Sequence, residues 1–281
     1  MSLLRIYSLN IQTLKHLHRF PERIRTLAPH VVFLQEVTSA DAEGIADMLG
    51  VRLVQHVPMT RTQKPGVEEY EWGLACYVAA DVDVVSCEAT IYADTGENTP
   101  VLDQSTGRCN RFLQKLVVNY QSETFCLLQT HFTWSPHGVA TDMQEEDLAV
   151  LQGLLRAQSE FALFGDSNIP RGVNHLWEAL ARKYTDNVPA HMSTSLDPLL
   201  HRVGHLPRMV DMCFTTHHYR VDTIHFDEGM SDHQGMFVEL SKAATSDEKH
   251  RAIKNAANET FRRYEKTFKD LARYDQSKTQ D

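Results

Sequence analysis

Apolar residues in this chain come mostly in short runs bounded by turn-forming or charged residues. Runs of that kind suit strands buried in a sheet better than helices. Residues 4–9, 31–34, 53–57, 73–78, 82–87, 112–118, 125–130, 161–164, 210–215 and 235–240 are predicted strands. Helices are expected over 20–27, with Pro21 in the first turn, and over 41–49, with Thr38 or Ser39 as N-cap and Gly50 as the stop. Thr141-Asp142-Met143-Gln144 has the form of a capping box opening a helix through Leu148, Leu151 and Leu155, and 174–184 is a further helix. Residues 94–110 are rich in turn formers and are expected to be a loop. Strands outnumber helices and many join without crossovers. The expectation is therefore an α+β fold of mixed or antiparallel sheets covered by helices, not a doubly wound parallel sheet.

Composition narrows the partners. No apolar run approaches the length that spans a bilayer, and the first residues lack the apolar core of a signal peptide. A soluble, intracellular protein (cytoplasm or nucleus) with no membrane insertion is expected. Cys76, Cys87, Cys109, Cys126 and Cys213 show no zinc-knuckle spacing and sit mostly in apolar runs, as small buried hydrophobes of a reducing compartment. The net charge is −9, and residues 241–281 hold ten basic and seven acidic side chains, which leaves the rest at −12. An acidic body argues against non-specific tracking along a polyanion, although a divalent cation can supply the missing positive charge. Two parts are expected: a body, 1–240, and a charged tail, 241–281. Phe261, Tyr264, Phe268 and Leu271 make one apolar stripe in the tail, on a helix that docks on the body or binds a protein partner.

Five apolar runs each deliver a polar residue at once: Asn10, Glu36, His131, Asp166 (with Asn168 two residues on) and, ahead of residues 235–240, Asp232-His233. Strands of one core tend to end on a common rim, so these residues are candidates for one cleft. Taken one at a time they have blander explanations as turns and caps. In order, Ser8-Leu9-Asn10-Ile11, Leu34-Gln35-Glu36-Val37, Thr130-His131, Gly165-Asp166-Ser167-Asn168, Val210-Asp211 and Ser231-Asp232-His233 resemble the endonuclease/exonuclease/phosphatase superfamily over nearly the whole body. The motifs are most similar to the tyrosyl-DNA phosphodiesterase branch. Departures are a missing tryptophan in Ser193-Thr194-Ser195-Leu196-Asp197 and an arginine, Arg208, three residues before Asp211.

The resemblance implies a four-layer αββα sandwich of the deoxyribonuclease I type and hydrolysis of a phosphoester with magnesium or manganese (Mg2+ or Mn2+). The substrate it suggests is a nucleic acid, at its ends. The oxygen donors Glu36, Asp232 and Asn10 suit such a hard cation. Asp166 and Asn168 would align the attacking water, and His233 would donate to a phosphate oxygen or act as base, with Asp211 holding its tautomer. His131 would sit beside the phosphate. Arg111 is either a phosphate fork or an edge-strand arginine in water, and Trp134 either core or a stacking residue. A phosphomonoesterase has nearly the same site chemistry, and a catalytically silent partner-binding scaffold is the alternative of another class. The spacing of His201 and His205 does not make a zinc site, because Gly204 and Pro207 break a helix there.

Overall fold

A computed structural model describes residues 2–13, 15–63, 69–102 and 107–244, together with Lys254 and Thr260. The expected tail helix and its apolar stripe lie outside the described residues. The elements are β1 (Leu4–Asn10), α1 (Phe20–Leu27), β2 (Val31–Thr38), α2 (Ala42–Leu49), β3 (Arg52–Thr62), β4 (Tyr70–Val78), β5 (Asp83–Ala93), β6 (Arg111–Tyr120) and β7 (Glu123–Gln129). They continue with α3 (Asp142–Arg156), β8 (Ala162–Asp166), α4 (His175–Ala181), β9 (Thr185–Asp186), β10 (Asp211–Thr215), β11 (Tyr219–Asp227) and β12 (Gly235–Lys242).

The strands form two six-stranded sheets, one in the order β11-β12-β1-β2-β4-β3 and the other β5-β6-β7-β8-β10-β9. Alternation along the strands assigns the layers. In β1 and β2, Tyr7, Leu9, Val32 and Leu34 pack with Phe20, Ile24, Ile45 and Leu49 of α1 and α2. Leu4, Ile6, Val31 and Phe33 point the other way into the larger core. There Phe33 meets Phe164 of the second sheet, ring centroids 6.0 Å apart. On that sheet's far side Phe214 packs against Trp177 of α4. The result is the four-layer αββα sandwich.

Local differences from the sequence expectations have simple causes. Strand β11 carries polar residues at half its positions, as an edge strand can, and so gave no apolar run. The N-cap of α2 is Asp41 rather than Thr38 or Ser39, because the Thr38 hydroxyl is engaged with the Asp41 carboxylate. Only half of the capping box forms at α3: Thr141 Oγ1 accepts from the Gln144 N–H, while the Gln144 amide donates to the Thr133 carbonyl. All five cysteines are free, and Cys87 differs from the other four in being only half-buried. No helix among the described residues is long and apolar enough to cross a membrane.

Candidate active site

Both sheets contribute their polar strand ends to one place. Parallel pairing of β1 with β2 sets Asn10 opposite Gln35. The ladder between β2 and β4 then slips between Gln35 and Val37, which makes Glu36 a bulge residue. Its φ of 61° lies in the left-handed region. A bulge re-aims its side chain, so Glu36 leaves the alternation of β2 and turns to the rim beside Asn10. Strand β12 runs antiparallel to β1 and begins at Gly235, which brings Asp232 and His233 to the same end.

In the second sheet, Asp166 at the end of β8 stands opposite Asp211 at the start of β10. Beyond the end of β7 the pairing continues through Thr130 N–H to Phe164 O (3.1 Å) and Phe132 N–H to Asp166 O (2.8 Å), which fixes His131 between them. Gly165 makes this possible. Its φ is 118°, and a Cβ there would lie 2.0 Å from the Thr130 carbonyl oxygen.

Asp166 is the centre of the resulting network. Its Oδ2 accepts from Asn10 Nδ2 at 3.2 Å and lies 3.5 Å from His131 Nε2 and 3.6 Å from His233 Nε2. Its Oδ1 accepts the Asn168 N–H at 2.9 Å, in a turn where Asn168 itself has a φ of 52°. Asn10 Nδ2 also donates to Glu36 Oε1 at 3.0 Å, and Asn10 Oδ1 accepts the Gln12 N–H. His233 Nδ1 and Asp211 Oδ2 are 2.8 Å apart. The Asn168 amide donates to the Phe132 carbonyl at 3.0 Å.

Electrostatics follow from burial. Glu36 is pushed up to about 7 by burial, reinforced by Asp232 and opposed by the Asn10 amide. Burial also raises Asp166, with His233 acting against it. His131 is held well below the ordinary imidazole range by burial, helped by Arg111. For His233, burial again presses down, but the Asp211 and Asp166 carboxylates outweigh it and keep its pKa well above 6.5. Among the described residues, no lysine or arginine forms an ion pair with Glu36, Asp166 or Asp232. The Asp232 carboxylate accepts, among the described residues, a hydrogen bond only from the Ser231 hydroxyl, at 3.1 Å.

Uncompensated buried carboxylates are costly, and a hard cation among oxygen donors is one remedy. Glu36 and Asp232, with the Asn10 amide between Glu36 and Asp166, fit that chemistry. No group of three His, Cys, Asp or Glu side chains among the described residues is arranged to hold a metal ion by itself. A cation held here would complete its shell with amide or solvent oxygens.

Arg111 is buried at 2% exposure, so the reading of an edge-strand arginine in water is corrected. Its NH1 donates to the His131 carbonyl and its NH2 to that of Gly107, both at 3.1 Å, and its Nε has no partner. Trp134 is 37% exposed and lies against Gly107, outside the core. The Trp72 ring lies beside His131, with ring centroids 6.1 Å apart.

Residues 193–197 form only a partial motif in the sequence. In the fold they strap the site together. Ser195 Oγ accepts the Val210 and Asp211 N–H groups at 3.1 and 3.0 Å, and Leu196 bridges to His233. Asp197 donates its N–H to the Asp232 carbonyl and accepts the Gly229 N–H on its side chain. A hydroxyl and a carboxylate with this use carry no sequence signal distinct from ordinary turn residues.

No family model matches this chain, and no curated protein does. Solved structures do. An endonuclease/exonuclease/phosphatase from Beutenbergia cavernae superposes with a TM-score of 0.65 at 18% identity, over 87% of this chain and 72% of that one. A mannosyl-6-phosphatase of Bacteroides thetaiotaomicron gives 0.61 at 14% identity, over 85% and 99%. D. rerio TDP2, complexed with a single-strand DNA product, gives 0.53 at 18% identity, over 86% and 100%. At such identities the likeness is one of architecture, and the architecture of this chain is that of the endonuclease/exonuclease/phosphatase proteins.

Proposed function

We propose that this chain is a divalent-metal-dependent phosphodiester hydrolase acting on nucleic-acid ends. The observation that carries the reading is the single network joining Asn10, Glu36, Asp166, His131, His233 and Asp211 across the two sheets. Glu36 and Asp232 would hold Mg2+ or Mn2+, with Asn10 ordering the carboxylates. Bound there, the ion would offset charge on a phosphate oxygen and on the leaving oxygen. Asp166 has an ionisable oxygen beside two imidazoles and accepts the proton of an attacking water. Asn168, whose amide nitrogen is committed to Phe132, keeps its side-chain oxygen to orient that water. His233, held charged by Asp211, donates from Nε2 to a non-bridging oxygen as charge builds there. His131 stays neutral and fills the space between Asp166 and the Trp72 wall. Trp134 offers an exposed ring on which a base can stack.

Hydrolysis of a small phosphomonoester is the second reading, favoured by the acidic body and by the phosphatase of the same fold. One substrate panel separates the two. It contains single- and double-stranded DNA, RNA, DNA ends carrying 5′-phosphotyrosyl or 3′-blocked groups, and a sugar phosphate. Each is assayed with magnesium, with manganese and with chelator. Metal-dependent cleavage of a nucleic-acid end, lost about 100- to 10,000-fold in Asp166→Asn, supports the proposal. Turnover confined to the sugar phosphate replaces it with the second reading. Tight partner binding that survives Asp166→Ala, with no turnover of any substrate, would leave the scaffold alternative.

A further inference from the structure

Gln129 closes β7, two residues before His131, and is fully buried. Its amide crosses to the first sheet and meets two strands there. Oε1 accepts from Gln35 Nε2 of β2 at 3.1 Å, and Nε2 donates to the Ala75 carbonyl of β4 at 3.0 Å. The other Nε2 proton goes to Gln114 Oε1 within its own sheet. Gln35 depends on this contact. Its NH2 group also reaches Ser8 Oγ at 3.4 Å, while its Oε1 has no partner among the described residues.

The place of these contacts matters more than their number. Ala75 pairs with Leu34 and Gln35 with Leu74, the last regular steps before the ladder slips to Val37 opposite Gly73. Gln129 therefore grips both strands of the ladder at the edge of the bulge that presents Glu36. On its own side it pairs with Phe164 in the parallel ladder of β7 and β8. Two residues further along those strands stand His131 and Asp166. Asn10 spans the two halves, with Nδ2 at 3.0 Å from Glu36 Oε1 and 3.2 Å from Asp166 Oδ2. An offset of about 1 Å between the sheets would take either contact beyond hydrogen-bonding range. Apolar packing between sheets is non-directional and tolerates such an offset, whereas a fully satisfied buried amide does not.

We propose that Gln129 is a positioning residue, whose amide fixes the offset of the two sheets at the bulge and so sets Glu36 and Asn10 against Asp166. Its effect on rate rests on the hydrolytic reading of the site. Its effect on the bulge rests on the hydrogen bonds alone.

The test uses the full chain and Gln129→Met, which keeps the side chain's length and removes its three hydrogen bonds. Val118→Ala is the control for lost stability, a core truncation at the other end of the β6–β7 ladder. Hydrogen–deuterium exchange compares the amides of 35–38 with those of 31–33, at the far end of β2. The ratio of their rates should rise about tenfold in Gln129→Met and keep its wild-type value in Val118→Ala. On a phosphoester that the wild type cleaves, kcat should fall about 100-fold with KM changed less than about threefold, and Val118→Ala should keep its kcat. Adding Gln35→Met to Gln129→Met removes the unpaired donor, and should raise the denaturation midpoint without restoring kcat. If Gln129→Met does not fold, Gln35→Met, which cuts only the β2 arm, replaces it in each measurement. An unchanged exchange ratio overturns the proposal. So does a loss of kcat that Val118→Ala matches, or that the double variant recovers together with stability. If the wild type cleaves no phosphoester, the proposed function fails and the exchange ratio alone decides the role of Gln129.

Discussion

Glu36 shows how much a single residue can carry. A glutamate in the left-handed region costs about 1–3 kcal/mol, and such strain persists only where the surroundings over-determine it. The surroundings here are two ladders and the amide of Asn10. A neutral side chain of the same shape also removes a half-buried carboxyl that no lysine or arginine among the described residues pairs with. Glu36→Gln should therefore match or exceed the wild type in thermal stability without metal. Magnesium at about 100 times Kd should stabilise the wild type by about 2.7 kcal/mol and leave the variant unmoved, as read by denaturation midpoints. Equal stabilisation of both would remove Glu36 from the proposed cation site.

His30 makes a prediction about pH. Its Nδ1 accepts the Arg5 N–H at 3.0 Å, which requires a neutral ring, and burial, with Arg5 adding to it, lowers its pKa to about 4 from 6.5. A group depressed in this way contributes its full stability above about 6.5 and loses it as pH falls toward 4. The stability gap between wild type and His30→Gln should narrow over that window in urea titrations. A gap constant with pH would mean that the ring titrates in the fold as it does in the unfolded chain.

At the scale of elements, the 193–197 strap and a buried row of amides hold the strand ends in register. Gln35 donates to Gln129 Oε1 at 3.1 Å, Gln129 to Gln114 Oε1 at 2.5 Å, and Gln114 to Gln55 Oε1 at 2.8 Å. This row crosses between the sheets directly beneath the bulge at Glu36. The strap does the same work for the Asp211–His233 pair. Ser195→Ala leaves two buried N–H groups without their acceptor and should cost about 1–3 kcal/mol. Because Ser195 is fully buried and acts through the backbone of Val210 and Asp211, kcat should fall while KM changes little, and Ser195→Thr should recover much of the loss. A change confined to KM would instead place Ser195 at the substrate.

At the scale of the whole molecule, the sandwich brings together two halves of a site that are far apart in sequence. Asn10 and Glu36 come from the first sheet, and Asp166 and Asp211 from the second. If the substrate is a nucleic acid, as proposed, the acidic body limits how much of it such a site can grip. Proteins that neutralise six to ten phosphates lose about 1,000- to 100,000-fold in affinity between 50 and 200 mM salt. Under the proposed function only terminal phosphates would be engaged, so the KM for a cleavable DNA end should change by less than about tenfold over the same range. A steep dependence would show a basic track supplied elsewhere in the chain.

The strands, the two-layer core and the polar residues at the rim were legible in the sequence. Period-two burial leaves apolar runs, and a strand that ends at a cleft must end on a polar group. For that reason Asn10, Glu36, His131, Asp166 and His233 stood out, as did the resemblance their order carries. Edge strand β11 was not legible, since an edge strand half open to water needs no apolar pattern. The same holds for the true partners of Arg111, the Ser195 strap and the amide row. Each depends on a contact between residues distant in the chain or in separate sheets, and a one-dimensional pattern holds no record of such a contact until packing brings the two sides together.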